Sequence, residues 1–205
     1  MADEVKRLSE GGEAALAELF STYRGRLERM VRFRLDDRLR GRVDPEDILQ
    51  DAYIEIARRI GGYLAAPRVS PYVWFRQIAW QKLIDCHRMQ MSLKRGADRE
   101  VHSRRHGGGI STTCSIAWAL VGGLTSPSLA AVRQEQAERL HQALDSLDEI
   151  DREVLALRHF EQLGNAEVAE VLELSATAAS NRYVRALKRL GEILSSLPGF
   201  KDLAP

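Results

Sequence analysis

The stretch NAEVAEVLELSATAASNRYVRALKRL, residues 165–190, decides how the chain is read. Val168, Ala169 and Leu172 fall on one side of a first short helix, near residues 165–172. Leu174 falls in a turn. Ala179, Tyr183, Ala186 and Leu190 then recur at spacings of 4, 3 and 4, an apolar stripe along a second helix over about residues 176–193. Ala169 is small enough to let the two helices cross closely. Two short helices joined by a turn of three or four residues form a helix-turn-helix.

The opposite side of the second helix has different chemistry. It carries Thr177, Ser180, Asn181, Arg182, Arg185, Lys188 and Arg189, and no acidic residue stands between Ser175 and Arg189. Hydroxyl and amide side chains can reach base edges in a major groove. The arginines and lysine supply salt-dependent attraction to phosphates, and the free backbone donors of the helix start suit the same anions. A plainer reading is also open: a helical hairpin with a solvated basic face, Ser175 only an N-cap, and Arg182 only an ion-pair partner of Asp151 or Glu153.

Working outward, the rest of the chain also reads as helix. Leu16, Leu19, Phe20, Tyr23, Leu27 and Met30 follow the helical period across residues 13–35, with Ser9 or Gly11–Gly12 at the start. Asp44-Pro45 is a capping residue followed by a first-turn proline. It opens a helix carrying Ile48, Leu49, Ala52, Ile56 and Ile60, which Gly61–Gly62 is expected to end. Ser70-Pro71 opens another helix in the same way. Residues 92–128 read as a linker. Lys94, Arg95, Arg99, Arg104 and Arg105 come first, then Gly107–Gly109, Gly122–Gly123 and Pro127. Its second half, residues 110–124 with Trp118, is apolar for a linker and suited to packing on a domain or a partner. Helical periodicity returns at residues 137–147 and again at residues 151–160. The expected fold is therefore all-α. Two small helical domains, 1–91 and 129–205, are joined by the flexible linker 92–128, and the helix-turn-helix lies in the second.

Composition narrows the classes. A 205-residue chain that is 44% hydrophobic can bury a core, which argues against global disorder. The net charge of +1 carries no message about partners, so the local runs matter more. Cys86 and Cys114 do not form a disulfide framework, and the histidines lack metal-ligand spacing. The glycine run 107–109 has no following Lys-Ser/Thr and so is not a phosphate-binding loop. No catalytic residue, metal or cofactor is expected. The start of the chain does not read as a signal peptide, and no apolar run is long enough to span a membrane. The expected location is the cytoplasm.

Three motifs carry a resemblance to bacterial sigma-70-type factors of the small extracytoplasmic-function (ECF) class. The run 44–53, DPEDILQDAY, resembles the helix through which these factors bind a coiled coil of RNA polymerase, which implies Asp47, Gln50 and Asp51 as polymerase contacts. The run 72–88, YVWFRQIAWQKLIDCHR, resembles the helix that recognises and helps open the −10 promoter element. That implies Arg76, Gln81, Asp85 and Arg88 as DNA contacts and leaves Trp74 to the core. Eight Lys/Arg against three acids between Tyr72 and His106, interleaved with aromatics, suit single-stranded DNA. The segments 144–158 and 167–189 resemble the domain that reads the −35 element. There the implied contacts are Ser175, Thr177, Ser180, Asn181, Arg182, Arg185 and Lys188.

The last match departs from the family. Thr177-Ala178-Ala179-Ser180 stands where a glycine-threonine-valine-lysine run is usual, which removes one cationic contact. The implied partners are bacterial core RNA polymerase, promoter DNA and, where such factors are held inactive, an anti-sigma protein. Two other readings compete: a dimeric helix-turn-helix regulator acting without polymerase, which needs a two-fold interface, and a helical protein-interaction module.

Overall fold

The computed structural model describes residues 1–36, 39, 41–97, 112–122 and 130–197. The chain divides into two compact units, Met1–Ile110 and Ser111–Pro205. Both are helical.

The first unit holds α1 (Ala2–Arg34), α2 (Pro45–Ala65) and α3 (Pro71–Ala97), each packed against the other two. Leu16, Leu19, Leu27, Met30 and Val31 of α1 meet Ile48, Leu49, Ala52 and Ile56 of α2 in the core. From α3 come Tyr72, Val73, Phe75, Ile78, Ala79 and Leu83. Phe20 and Tyr23 of the α1 stripe join an aromatic cluster, edge-on to Tyr53 and Tyr72 at 5.0 and 5.2 Å.

Two features differ from the sequence reading. A helical segment, residues 2–11, precedes the helix the sequence predicts, and the non-helical Gly12 separates the two, so the predicted helix does begin at the Gly11–Gly12 pair. Gly12 has φ 57° and ψ −137°, a conformation open to glycine and almost nothing else. Beyond it residues 2–11 turn back along the helix. Arg7 pairs with Glu18 at 3.3 Å, Tyr23 donates a hydrogen bond to Glu4, and Leu8 is 2% exposed. At Gly11 a Cβ would lie 2.6 Å from the Cβ of Ala15, so Gly11 has no room for a side chain, whereas at Gly12 the constraint is the backbone conformation.

The second difference is at Gly61–Gly62, which stay helical. Tyr63, the next residue, is buried, stacks on Trp74 at 4.3 Å and donates its hydroxyl to the Val69 carbonyl at 2.8 Å. That tertiary anchor outweighs the low helix propensity of two exposed glycines. The start of α2 follows the sequence: Asp44 accepts from the Glu46 amide at 3.0 Å, and Pro45 takes the first turn.

The second unit holds α4 (Thr112–Gly122), α5 (Ala130–Leu144), α6 (Glu149–Leu155), a π-helical turn (Ala156–Phe160), α7 (Asn165–Val171) and α8 (Ala176–Ser196). Helix α4 falls inside the stretch read as linker. It packs chiefly on α5, burying Thr113, Ile116, Ala117 and Val121, and Thr112 donates to Glu153 of α6 at 2.7 Å. Its residues are apolar nearly all round, so periodicity does not announce it, and such helices form because neighbours bury them. Residues 92–97, also read as linker, continue α3 instead; the remainder of the linker, including Arg99, Arg104, Arg105 and the glycines 107–109, lies outside the described residues. Asp148 caps α6 through the Ile150 amide at 2.9 Å, which sets the helix start at Glu149.

The Gly12 corner predicts opposite outcomes for two glycines of α1. Gly12→Ala should destabilise the first unit by about 1–3 kcal/mol. Gly25 sits in the helix interior with open space around its Cα, and Gly25→Ala should stabilise by about 0.5–1 kcal/mol. Urea unfolding followed by circular dichroism measures both.

Candidate nucleic-acid interface

The candidate interface is built around α7 and α8. Their turn, residues 172–175, closes through the Leu174 amide, which donates to the Ala169 carbonyl at 2.9 Å. Glu173 takes the left-handed conformation, φ 53°, to make it. Asn165 at the start of α7 donates to the Ala176 carbonyl at 2.8 Å, tying the two helix starts together. Ser175 caps α8 by accepting from the Ala178 amide at 3.1 Å. Ala179, Ala186, Leu190 and Leu194 are buried beneath α8. Tyr183 is half-buried, with the Arg158 guanidinium 5.0 Å from its ring centre. Thr177, Ser180, Asn181, Arg185, Lys188 and Arg189 are exposed on the other side.

Arg182 does not share that exposed face. It donates to Asp151 of α6 at 2.9 Å and lies 3.6 Å from Asp148. Asp151 is a 6%-exposed carboxylate, and a charge so placed needs a cation. Arg182 is thereby used in holding α8 to α6.

In the first unit α3 presents Gln81, Asp85 and Arg88 on one exposed face, at i, i+4 and i+7. Gln81 donates to Asp85 at 3.1 Å, which orients that carboxylate. Arg76 is 5% exposed and so is not one of the surface residues the sequence reading expected. Its position, between buried Phe75 and the buried pair Ile78 and Ala79, turns it into the bundle. Trp74 is half-buried against Tyr63. The side chains of Lys94 and Arg95 lie outside the described residues.

On α2, Asp47, Gln50 and Asp51 are all exposed, and they share one face by their spacing of 3 and 4. Ile54, 59% exposed, continues that face by one more turn. The Asp51 and Asp47 carboxylates lie near Cys86 of α3. Burial first, then these two charges, push the Cys86 thiol up from its ordinary value. Farther along α2, Glu55 accepts from Arg58 and Arg59 and lies 3.6 Å from Lys82 of α3. The hydrogen bond from Arg58 is the main reason its carboxyl drops from 4.5 to about 2. Among the described residues no group of three or more His, Cys, Asp or Glu is placed to hold a metal ion.

Residues 137–190, from within α5 to within α8, match the family "Sigma-70, region 4". The match covers that segment of the second unit, about a quarter of the chain. Nine solved chains resemble it in fold. One is CnrH, solved in complex with the cytosolic domain of CnrY. It is 21% identical, with a TM-score of 0.52, over 94% of this chain and 96% of CnrH. That likeness concerns the fold. No curated protein matches the chain in sequence.

The matched segment thus begins within α5, and α4, packed on α5, precedes it. Within that segment, six of the seven residues singled out on α8 come together: Ser175 at the cap, and Thr177, Ser180, Asn181, Arg185 and Lys188 on the exposed face. Arg182 is the exception. Two exposed apolar residues were missed, Val184 at 64% and Ile54 at 59%. Val184 follows Tyr183 of the apolar stripe of α8, and Ile54 stands midway between buried Ala52 and Ile56 of α2. A helical projection is enough to find both.

Two predictions follow from the ion pairs. Arg182→Ala should destabilise the second unit by about 1.5–3 kcal/mol, by leaving Asp151 without its charged donor. Arg185→Ala should change stability by less than about 0.5 kcal/mol. Thermal unfolding separates the two. For Glu55 the folded carboxyl is more acidic than the unfolded one, so its contribution is present above about 4.5 and lost as pH falls toward about 2. Glu55→Gln should lower the urea midpoint at pH 7, and the gap to the unaltered protein should close as pH drops through that window.

Proposed function

We propose that the chain is a sigma factor of the ECF class, which binds core RNA polymerase, directs it to specific promoters and assists their opening. One observation carries this most directly. The region 4 match coincides with a helix-turn-helix whose recognition helix keeps an exposed face of hydroxyl, amide and basic side chains. Phosphate attraction brings such a face to DNA, and the hydroxyl and amide groups read base edges.

In this reading the second unit recognises the −35 element through Thr177, Ser180, Asn181, Arg185 and Lys188, with Ser175 holding the start of α8. The first unit serves the −10 element through Gln81, Asp85 and Arg88 of α3. It binds polymerase through Asp47, Gln50 and Asp51 of α2. A carboxylate-and-amide face around an exposed Ile54 suits a basic helical partner with an apolar spot, since complementary charge speeds and orients docking. The polymerase supplies the chemistry, and this chain supplies binding energy and placement. A cytoplasmic site of action goes with that role; no helix among the described residues is long and apolar enough to cross a membrane. An anti-sigma protein is a further proposed partner, because the similar fold of CnrH was solved with the cytosolic domain of CnrY.

The deciding experiment is transcription by bacterial core polymerase on a promoter library, with and without the chain. Discrete RNA starts that require the chain and share −35 and −10 elements are expected. A folded chain that adds no starts, beside a control sigma factor that does, would overturn the proposal. Gln50→Ala with Asp51→Ala should weaken association with core polymerase about tenfold or more, read by competition against the unaltered chain. Thermal stability should stay unchanged, because both side chains are exposed.

A further inference from the structure

Val184 is an anomaly on α8. It is 64% exposed, although the buried stripe of the helix runs through Ala179, Ala186 and Leu190. A β-branched residue in a helix interior loses side-chain freedom, and here no packing offsets that loss. Its exposed neighbours on the helix are Ser180 and Asn181 one turn before, and Arg185 and Lys188 after. No acid stands anywhere between Ser175 and Arg189. The valine is thus an apolar point on a face of hydrogen-bonding and cationic groups.

Its register adds a second fact. Thr177, Ser180, Asn181 and Val184 are spaced i, i+3, i+4 and i+7, the spacing with which a helix lying in a major groove presents base contacts. The first three offer hydroxyl or amide groups. Val184 has neither, so it can discriminate only by apolar contact. The apolar feature of the four ordinary bases in that groove is the 5-methyl group of thymine. Arg182, next to it in sequence, is held by Asp151 and does not compete for the place.

We infer that Val184 reads a thymine 5-methyl group in the −35 element and is a specificity-determining residue of the recognition helix. The inference rests on the sigma-factor reading. It adds one base identity to that reading, at a position contacted by the third turn of α8.

Deoxyuridine differs from thymidine by this methyl group alone, which makes the test direct. The full-length chain with core polymerase is bound to a promoter chosen from the library, and each −35 thymine is replaced singly by deoxyuridine. At one position the affinity of the unaltered chain should fall about fourfold, as expected for one buried methyl group. Val184→Ala, which improves helix propensity and empties no core, should bind thymine and deoxyuridine promoters alike at that position. Equal binding at every position by the unaltered chain would overturn the inference. So would a loss that persists undiminished in Val184→Ala, or a selected −35 element without thymine. Failure to select any unmodified promoter would overturn the sigma reading itself, and the inference with it.

Discussion

Helix α8 has to be held on one side and left bare on the other, and the ion pair between Arg182 and buried Asp151 is where these demands meet. The small residues Ala179 and Ala186 let the helix settle closely onto its neighbours. Alone they form a slippery contact, since apolar burial is not directional. The guanidinium on Asp151 gives the contact a defined rotation about the helix axis. A different rotation would turn Thr177, Ser180, Asn181 and Lys188 away from solvent.

The same division of labour recurs in the first unit. Arg76 and Lys82 of α3 belong to its basic run, yet Arg76 is buried and Lys82 is drawn toward Glu55. What remains exposed on α3 is a smaller set, with Gln81 and Asp85 bonded to each other. Basic residues are thus split between holding helices and facing outward, and counting them along the chain overstates the outward share.

The two units also differ in how they are held together. The first is fastened by aromatics, from Phe20 and Tyr23 to Tyr72 and Phe75, and by Tyr63 stacked on Trp74. The second has smaller apolar residues, joined by directed polar contacts such as Arg182 to Asp151, Asn165 to Ala176 and Thr112 to Glu153. Helix α4 belongs to that second arrangement, although it precedes the region 4 match.

What the sequence determined by itself was whatever depends on neighbours along the chain. The caps at Asp44 and Ser175, the proline starts of α2 and α3, the turn at Leu174 and the apolar stripe of α8 all rest on contacts within a few residues. The all-α class and the helix-turn-helix follow from these. Tertiary structure decided what depends on residues far away. Gly61–Gly62 stays helical because Trp74 and Val69 hold Tyr63. Residues 112–122 form a helix because α5 buries them. Residues 2–11 turn back because Glu18 and Tyr23 await them. Arg76 and Arg182 carry the same charge as Arg88 and Arg185, and only the packing of other helices turns the first two inward and leaves the last two at the surface. Periodicity reports which face of a helix is apolar. It cannot report which polar side chain a buried carboxylate on another helix will claim.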